Sequence, residues 1–581
     1  MSLLLKGVPA SRGIVIGRAL VLSGAARDEG QRTALEARQV EPEIERLYKA
    51  VAVTREQLMD LKRKVATEIG QKQAEIFNAH LLFLDDPTFM VESVEMVRKE
   101  RVSAEWAVHQ YVERYAKLLK EMGDAQMSER QGDIHDVGRR LVQNLRGGSL
   151  APLALMHEKC ILIATELTPS ETAQLDLSKV LGFATDQGGP TSHTAIIART
   201  LDLPAVVGLE QATLHVKDGA TVILDGQGGI LIADPDKETL AHYRQRQKDF
   251  AVKEKELKRG LRLPAITKDG RKIKLSGNID LPEEAKNVAA KGAEGVGLFR
   301  TEFLFLNRHN LPTEEEQFEA YRMAIRLSQP HPVTIRTLDL GGDKFLAHLG
   351  LASEMNPFLG LRAIRLCLAH PYVFKVQLRA ILRASHYGKI RMMYPLISGL
   401  EELRQANQIL AETQRDLAKR KIPFDESMEV GAMIEVPSAA ITADILAKEA
   451  EFFSIGTNDL IQYTMAVDRG NERIAYLYDP LHPAILRSLE GIIKASAKAK
   501  VRLSLCGEMG GDPLFAVVLI GLGMTELSMS AGSIPLVKKV LRSISYREAQ
   551  GLVKQAMKLD TSTEIRALLA ESPAGRRVSE T

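Results

Sequence analysis

The sequence reads as a multidomain α/β protein in which one α/β domain carries an all-helical insertion and is followed by a C-terminal (β/α)8 TIM barrel. Three observations support that reading. From about residue 261 onward, eight strand-like runs alternate with amphipathic helical stretches, the pattern of a closed barrel. Between residues 33 and 146 only Pro42, Pro87 and four glycines interrupt a long block of helical apolar spacing. Sheet-like sequence stands on both sides of that block, so it interrupts a domain and does not separate two.

Each element follows from its residues. Gly7-Val8-Pro9-Ala10-Ser11-Arg12-Gly13-Ile14-Val15-Ile16-Gly17-Arg18-Ala19 alternates turn formers with β-branched residues, which predicts a strand or hairpin within the first 22 or so residues. That piece needs a sheet to join, and sheet-like sequence resumes only at Cys160-Ile161-Leu162-Ile163-Ala164. Residues 1–32 and 147–235 are therefore assigned to one α/β domain. Residues 33–146, with Ile44, Leu47, Val51 and Leu58 at helical spacing, form the insertion. Lys, Arg, Glu and Gln dominate from Asp236 to Lys258, which predicts a helix polar all round, suited to a connector at 236–260. The barrel is placed at 261–575. Its strands are expected in Ile273 to Ile279, Gly295 to Phe303, Val333 to Leu340, Arg391 to Ile397, Glu429 to Val436, Phe452 to Leu460, Arg502 to Met509 and Glu526 to Ser530.

Composition narrows the function classes. At 581 residues there is room for roughly four domains of ~150 residues, so cores can form without disulfides or metals. The 77 basic and 74 acidic side chains leave a net charge of +3, too small to indicate nucleic acid or a membrane surface as partner. Cys160, Cys367 and Cys506 are far apart and show no metal or disulfide spacing. The apolar run in Met1-Ser2-Leu3-Leu4-Leu5-Lys6-Gly7 is far shorter than a signal peptide requires, and no stretch approaches ~18 uninterrupted apolar residues. A soluble, cytoplasmic protein with no membrane insertion is expected.

The most informative segment is Gly188-Gly189-Pro190-Thr191-Ser192-His193-Thr194-Ala195-Ile196-Ile197-Ala198-Arg199. The run Val180 to Thr185 predicts a buried strand, and Thr191 to Arg199 a helix with Thr191 or Ser192 as its cap. An imidazole at such a helix start faces unpaired N–H donors and the positive end of the dipole, where a phosphate is held. His193 is thus either an ordinary capping or surface histidine or a nucleophile that becomes transiently phosphorylated.

At or just after the predicted barrel strands stand Arg300, Arg336, Glu435, Asn458, Asp459 and Cys506, with Arg362 and Arg469 on loops over the same mouth. Charges at strand ends serve either as structural ion pairs or as ligand groups. Four guanidiniums converging on one cavity would repel unless a multiply charged anion lay between them, and Arg grips phosphate and carboxylate through paired donors. Glu435 and Asp459 offer hard oxygens suited to Mg²⁺. Cys506 is either an inert core thiol or, with a pKa near neutrality, a proton donor to carbon.

These residues, with the Gly7 to Ser11 segment, Ile76-Phe77-Asn78-Ala79-His80 and Leu167-Thr168-Pro169-Ser170-Glu171-Thr172-Ala173, give the chain its resemblance to a known family. So do Gly297 to Glu302, Leu338 to Lys344, Asn356 to Arg362, Ile434 to Pro437, Gly456 to Tyr463 and Cys506 to Gly511. Over almost its whole length it resembles Enzyme I of the bacterial sugar phosphotransferase system, the phosphoenolpyruvate-protein phosphotransferase family. The resemblance implies that phosphoenolpyruvate binds the barrel with Mg²⁺ (Mn²⁺ being an alternative), that His193 takes the phosphoryl group, and that pyruvate leaves. Phosphorylated His193 then passes the group to a histidine of the small carrier protein HPr, docked on the helical insertion, as the first step of sugar uptake. By position it implies Cys506 as active-site acid, Glu435 and Asp459 as metal ligands, and Arg300, Arg336, Lys344, Arg362, Asn458 and Arg469 as anion-binding groups. Thr172 would orient His193, and the barrel would mediate a homodimer.

One departure is visible: Pro190 stands where the family often has Arg, which removes a donor and stiffens the turn. The chain opens on the first strand with no sensory domain before it, which favours the sugar branch over the nitrogen-regulation branch. Since His193 and the barrel mouth lie in separate domains, a swivel about the connector is expected. Two other readings are weighed. Pyruvate phosphate dikinases and phosphoenolpyruvate synthases need a nucleotide-grasping domain for which no segment is spare. A regulatory binding protein would leave the catalytic matches without use.

Overall fold

The computed structural model describes the chain apart from residues 1, 23–31, 69–75, 122–124, 148–157, 168–170, 173–174, 190–191, 201–202, 306–309, 342–353, 355, 470, 472 and 581, and describes His193 by its backbone alone. It forms two units, Met1–Val252 and Lys253–Thr581.

The first unit is built on a sheet of β1 (Leu3–Lys6), β2 (Val8–Ser11), β3 (Ile14–Leu22), β4 (Cys160–Ala164), β5 (Val180–Thr185), β6 (Ala205–Val207), β7 (Thr221–Asp225) and β8 (Ile230–Ala233). The order is β1-β8-β7-β3-β4-β5-β6-β2. Strands β3, β4, β5 and β6 run parallel, and the remaining pairs are antiparallel. The N-terminal segment expected to be a strand or hairpin is thus three strands, none paired with its sequence neighbour. β1 and β2 close opposite edges of the sheet while β3 lies inside it. Partners from more than two hundred residues away, β7 for β3 and β8 for β1, are what local alternation cannot reveal.

Between β3 and β4 the described residues carry five α-helices, Val40–Glu68, Ile76–Leu84, Pro87–Glu100, Ala104–Glu121 and Ala125–Leu145. Leu47, Leu58, Phe77, Phe89, Val108 and Leu141 are buried in one cluster, the helical spacing of the sequence turned inward. Asp86 caps the third of these helices through Thr88 N, with Pro87 at its first position.

The connector helix, Lys237–Gly260, starts where Asp236 accepts from Thr239 N at 2.7 Å. It is not polar all round. Leu240 and Tyr243 pack on Ile14, Ile223 and Ile232, while Arg246 pairs with Asp225 at 2.9 Å and Gln247 donates to Ile14 O at 3.0 Å. Two apolar residues three apart make a one-turn stripe, enough to anchor the start of a helix whose remainder is charged.

In the second unit β9 (Lys274–Ile279), β10 (Val296–Arg300), β11 (Val333–Arg336), β12 (Ile390–Tyr394), β13 (Glu429–Ile434), β14 (Phe452–Ile455), β15 (Arg502–Leu505) and β16 (Glu526–Met529) close a barrel with every adjacent pair parallel. The strands are shorter than the apolar runs, because the loops leaving them are themselves buried. Phe452 to Leu460, taken as one strand, is β14 followed by a helix, Thr457–Met465. Asn458 and Asp459 therefore sit in a helical first turn. The N-terminal end of the barrel carries its own charge network: Lys274 with Glu526 at 2.7 Å, Glu526 with Arg391 at 3.4 Å, Arg391 with Glu429 at 2.8 Å, and Glu429 with Arg502 at 2.9 Å. Its charges are satisfied among themselves, at the end of the barrel opposite the arginine-bearing loops.

Gly431 in β13 faces Phe452, and a Cβ there would lie 2.6 Å and 2.7 Å from two ring carbons. Gly431→Ala is expected to destabilise the barrel by about 1–3 kcal/mol through overpacking. Urea unfolding followed in the isolated variant checks this, and an unchanged midpoint contradicts it.

Candidate active site

In the first unit β5 ends in a glycine loop, where Gly188 adopts φ +103, a conformation open to glycine and strained for other residues. Ser192 N donates to Gly189 O at 3.0 Å, and Ser192 Oγ accepts from Ala195 N at 3.4 Å, so Ser192 is the cap. The helix His193–Thr200 opens on His193 and is held by Ala195 and Ala198 packed against Phe183 and Val207. The loop and helix thus carry His193 at a helix start, as expected. Pro190 and Thr191 lie outside the described residues. Thr172 is buried, and its carbonyl accepts from Leu175 N.

In the second unit the barrel mouth gathers the charged residues. Arg336, the last residue of β11, donates to Glu302 at 2.9 Å and pairs with Asp339 at 2.9 Å. Arg362 pairs with the other oxygen of Asp339 at 2.8 Å, lies 3.7 Å from Asp459, and donates to Tyr463 OH at 3.4 Å. Arg469 lies 3.9 Å from Asp459, and Arg300, the last residue of β10, donates to Asp280 at 3.1 Å. Arg336 and Arg362 are nearly buried, while Arg300 and Arg469 are 35% and 45% exposed. The expected repulsion among four guanidiniums is met by carboxylates, each arginine having at least one.

Asp339, Glu435 and Asp459 are all buried, with one oxygen from each within 4.8 Å of the others. Glu435 follows β13, and its Oε1 accepts from Leu396 N at 2.7 Å. Gly456 makes room beside it: a Cβ at that position would lie 2.5 Å from Glu435 Oε2. Burial, followed by repulsion from Asp459 and Asp339, pushes the Glu435 carboxyl up to about 8. Burial also pushes Asp339 up, but Arg336 and Arg362 outweigh it and hold that carboxyl below the usual range. Three buried carboxyls that repel one another fit a small divalent cation, since hard oxygens are its preferred donors and its charge would remove the repulsion.

Asn458 is fixed from both sides: its amide donates to Glu508 Oε1 at 3.2 Å and accepts from Glu508 N at 2.9 Å. Cys506 follows β15 and is buried among Leu298, Met393, Met433 and Phe452. Burial pushes its thiol above the ordinary value, with the Ser454 hydroxyl and the Arg336 guanidinium working the other way. That direction runs against the expectation of a pKa near neutrality. Lys344 lies outside the described residues.

Sequence reasoning passed over four residues of this mouth: Asp280, Glu302, Asp339 and Tyr463. Asp339 lies three residues beyond Arg336 within a segment already singled out, and matching each strand-end arginine to a nearby carboxylate would have found it.

Three family models match the chain: the N-terminal domain of PEP-utilising enzymes over residues 6–130, their mobile domain over 156–229, and their PEP-binding domain over 254–546. Among the described residues no helix is long and apolar enough to cross a membrane. The chain is 45% identical over 559 residues to a phosphoenolpyruvate-protein phosphotransferase of Geobacillus stearothermophilus, covering 96% of each chain. It is 42% identical over 568 residues to that of Bacillus subtilis, covering 98% of this chain and 99% of the relative. With the Haemophilus influenzae protein of the same name it shares 41% over 573 residues, covering 98% and 99%. A closed parallel barrel with a buried arginine–carboxylate cluster at the mouth where its strands end, a glycine loop that presents a histidine at a helix start, and near-full-length identity above 40% together make this chain a member of the phosphoenolpyruvate-protein phosphotransferase family.

Proposed function

We propose that the chain transfers the phosphoryl group of phosphoenolpyruvate to His193 and from there to a histidine of an HPr-like carrier protein, releasing pyruvate at the head of sugar uptake. The observation that carries this reading is the buried Arg336–Asp339–Arg362 bridge standing beside Glu435 and Asp459. Arg300, Arg336, Arg362 and Arg469 exchange part of their carboxylate pairing for the oxygens of the phospho-acid, with Lys344 and Asn458 completing the anion contacts. Glu435 and Asp459, with Asp339 beside them, would hold Mg²⁺ or Mn²⁺, whose charge when bound offsets that of the phosphate and of the enolate oxygen.

A ring nitrogen of His193 attacks phosphorus, the bond between phosphorus and the enol oxygen breaks, and its electron pair stays on that oxygen as the enolate. Thr172 orients the ring. The enolate carbon takes the proton of Cys506, giving pyruvate, and water reloads the thiolate. In the second half a carrier histidine attacks the same phosphorus and the bond to His193 breaks. Nucleophile and phosphorus must approach to within ~3–3.5 Å on two different partners, so the first unit swivels about the connector. The helical block 33–146 is the proposed carrier-docking subdomain, the barrel the proposed homodimer contact, and the cytoplasm the proposed compartment.

Incubation with phosphoenolpyruvate labelled on phosphorus, with Mg²⁺, tests the reading. The expected product is one acid-labile, base-stable label on the peptide containing His193, chased away by a carrier protein. Labelling that needs ATP, or no label at all, overturns it. Cys506→Ala is expected to slow steady-state pyruvate formation by about 10²–10³-fold while label still reaches His193. Equal loss in both assays would remove Cys506 from the proton step.

A further inference from the structure

Behind the arginine-bearing turns lies a side chain that none of the chemistry above employs. Gln377, on the helix Pro371–Ser385, is 1% exposed. Its Oε1 accepts from Leu338 N at 2.8 Å, and its Nε2 donates to Thr301 Oγ1 at 3.1 Å and to Tyr321 OH at 3.2 Å. Leu338 stands between Arg336 and Asp339. Thr301 stands between Arg300 and Glu302, and its hydroxyl donates to Arg336 O at 2.9 Å. One carboxamide thus spans the turn after β10 and the turn after β11, the two that also meet through Glu302 Oε1 and Asp339 N at 3.1 Å.

The polarity of the network is closed. The Thr301 proton goes to Arg336 O, and the Tyr321 proton goes to Gln317 Oε1 at 3.1 Å, so both hydroxyls can only accept from residue 377. Leu338 N can only donate. Position 377 therefore needs one acceptor and two donors on a side chain of this length. A carboxylate of the same length has no proton to give, so the two hydroxyls would have to turn toward it and abandon Arg336 O and Gln317 Oε1, and an apolar side chain would leave a buried N–H without a partner.

We propose that Gln377 is a positioning residue of the phosphoryl-donor site, holding the Arg300–Glu302 and Arg336–Asp339 turns at the spacing phosphoenolpyruvate requires. The inference rests on the reading of the barrel mouth as the phosphoenolpyruvate site. It acts through Thr301 and Leu338 and not by contact with substrate.

The test uses the full chain with Gln377→Met, Gln377→Glu, Thr301→Val and the Gln377→Met/Thr301→Val pair. Gln377→Met is expected to lower kcat/KM for phosphoenolpyruvate by about tenfold or more, mostly through KM, with the KM for the carrier protein unchanged. Gln377→Glu should lose as much despite its matching size. Thr301→Val should fall in the same direction, and the double variant should be no worse than the poorer single, since both cut one network. Variants that shift only the melting temperature, or losses that multiply in the pair, overturn the proposal. If Gln377→Met does not fold, Thr301→Val and Gln377→Glu still decide it. A wild-type chain that takes no label from phosphoenolpyruvate sinks the parent reading instead, whereas normal labelling with an unaltered KM in these variants sinks this inference alone.

Discussion

His193→Ala is expected to abolish phosphoryl transfer from phosphoenolpyruvate, by at least about 10⁴-fold, with both units still folded. The substitution removes the only atom that accepts phosphorus in the proposed reaction. Ser192 still caps the helix, Ala195 and Ala198 still pack on the sheet, and alanine has the best helix propensity, so the local fold has no reason to change. The barrel keeps every group of its own site. Phosphoenolpyruvate with Mg²⁺ should therefore raise the melting temperature of the barrel in the variant as it does in the wild type. Phosphorus label on the protein and pyruvate release in a single turnover are the two readouts. Persistence of label at more than about a tenth of the wild-type amount would assign the nucleophile to another residue.

Asp339→Asn should be the most damaging change in the barrel, costing about 10³-fold in kcat/KM for phosphoenolpyruvate. Asp339 is the residue through which Arg336 and Arg362 are joined, and it belongs to the same acidic cluster as Glu435 and Asp459. Asparagine keeps the shape but removes the charge, leaving two nearly buried guanidiniums short of a counter-charge; breaking a buried pair in this way costs about 3–5 kcal/mol. A fall in barrel stability should accompany the loss of activity, and the Mg²⁺ concentration needed for half-maximal rate should rise. A variant within threefold of wild type in both rate and metal requirement would show that Asp339 is only a spectator.

Much of this molecule could be read along the chain. The eight alternating runs marked the barrel, since a parallel strand buried on both faces must be apolar and must be followed by a crossover helix. Glycine at 188 and 189 with a hydroxyl at 192 marked the strand–loop–helix junction, because those residue types meet local backbone demands. The strand ends were overrun at Phe452 to Leu460, where a strand and the helix after it are both buried and hydropathy shows no boundary. The connector was taken as wholly polar because Leu240 and Tyr243 are only two residues, too few to register as a period until Ile14, Ile223 and Ile232 are seen beneath them.

Residue order alone was enough for the fold class and for picking out the strand-end arginines, Glu435, Asp459 and the helix-start His193 as candidates, because helix caps, strand periodicity and ligand-type residues are encoded within short windows. The pairing of those groups was settled by the folded chain. Asp339 bridges Arg336 and Arg362 from two separate loops, Gln377 reaches behind both turns from a distant helix, and Cys506 is buried among apolar residues of four strands, which raises its pKa instead of lowering it toward neutrality. Ion pairing, orphaned polar atoms and desolvation depend on distances through space between residues far apart in the chain, and those distances exist only once the barrel has closed.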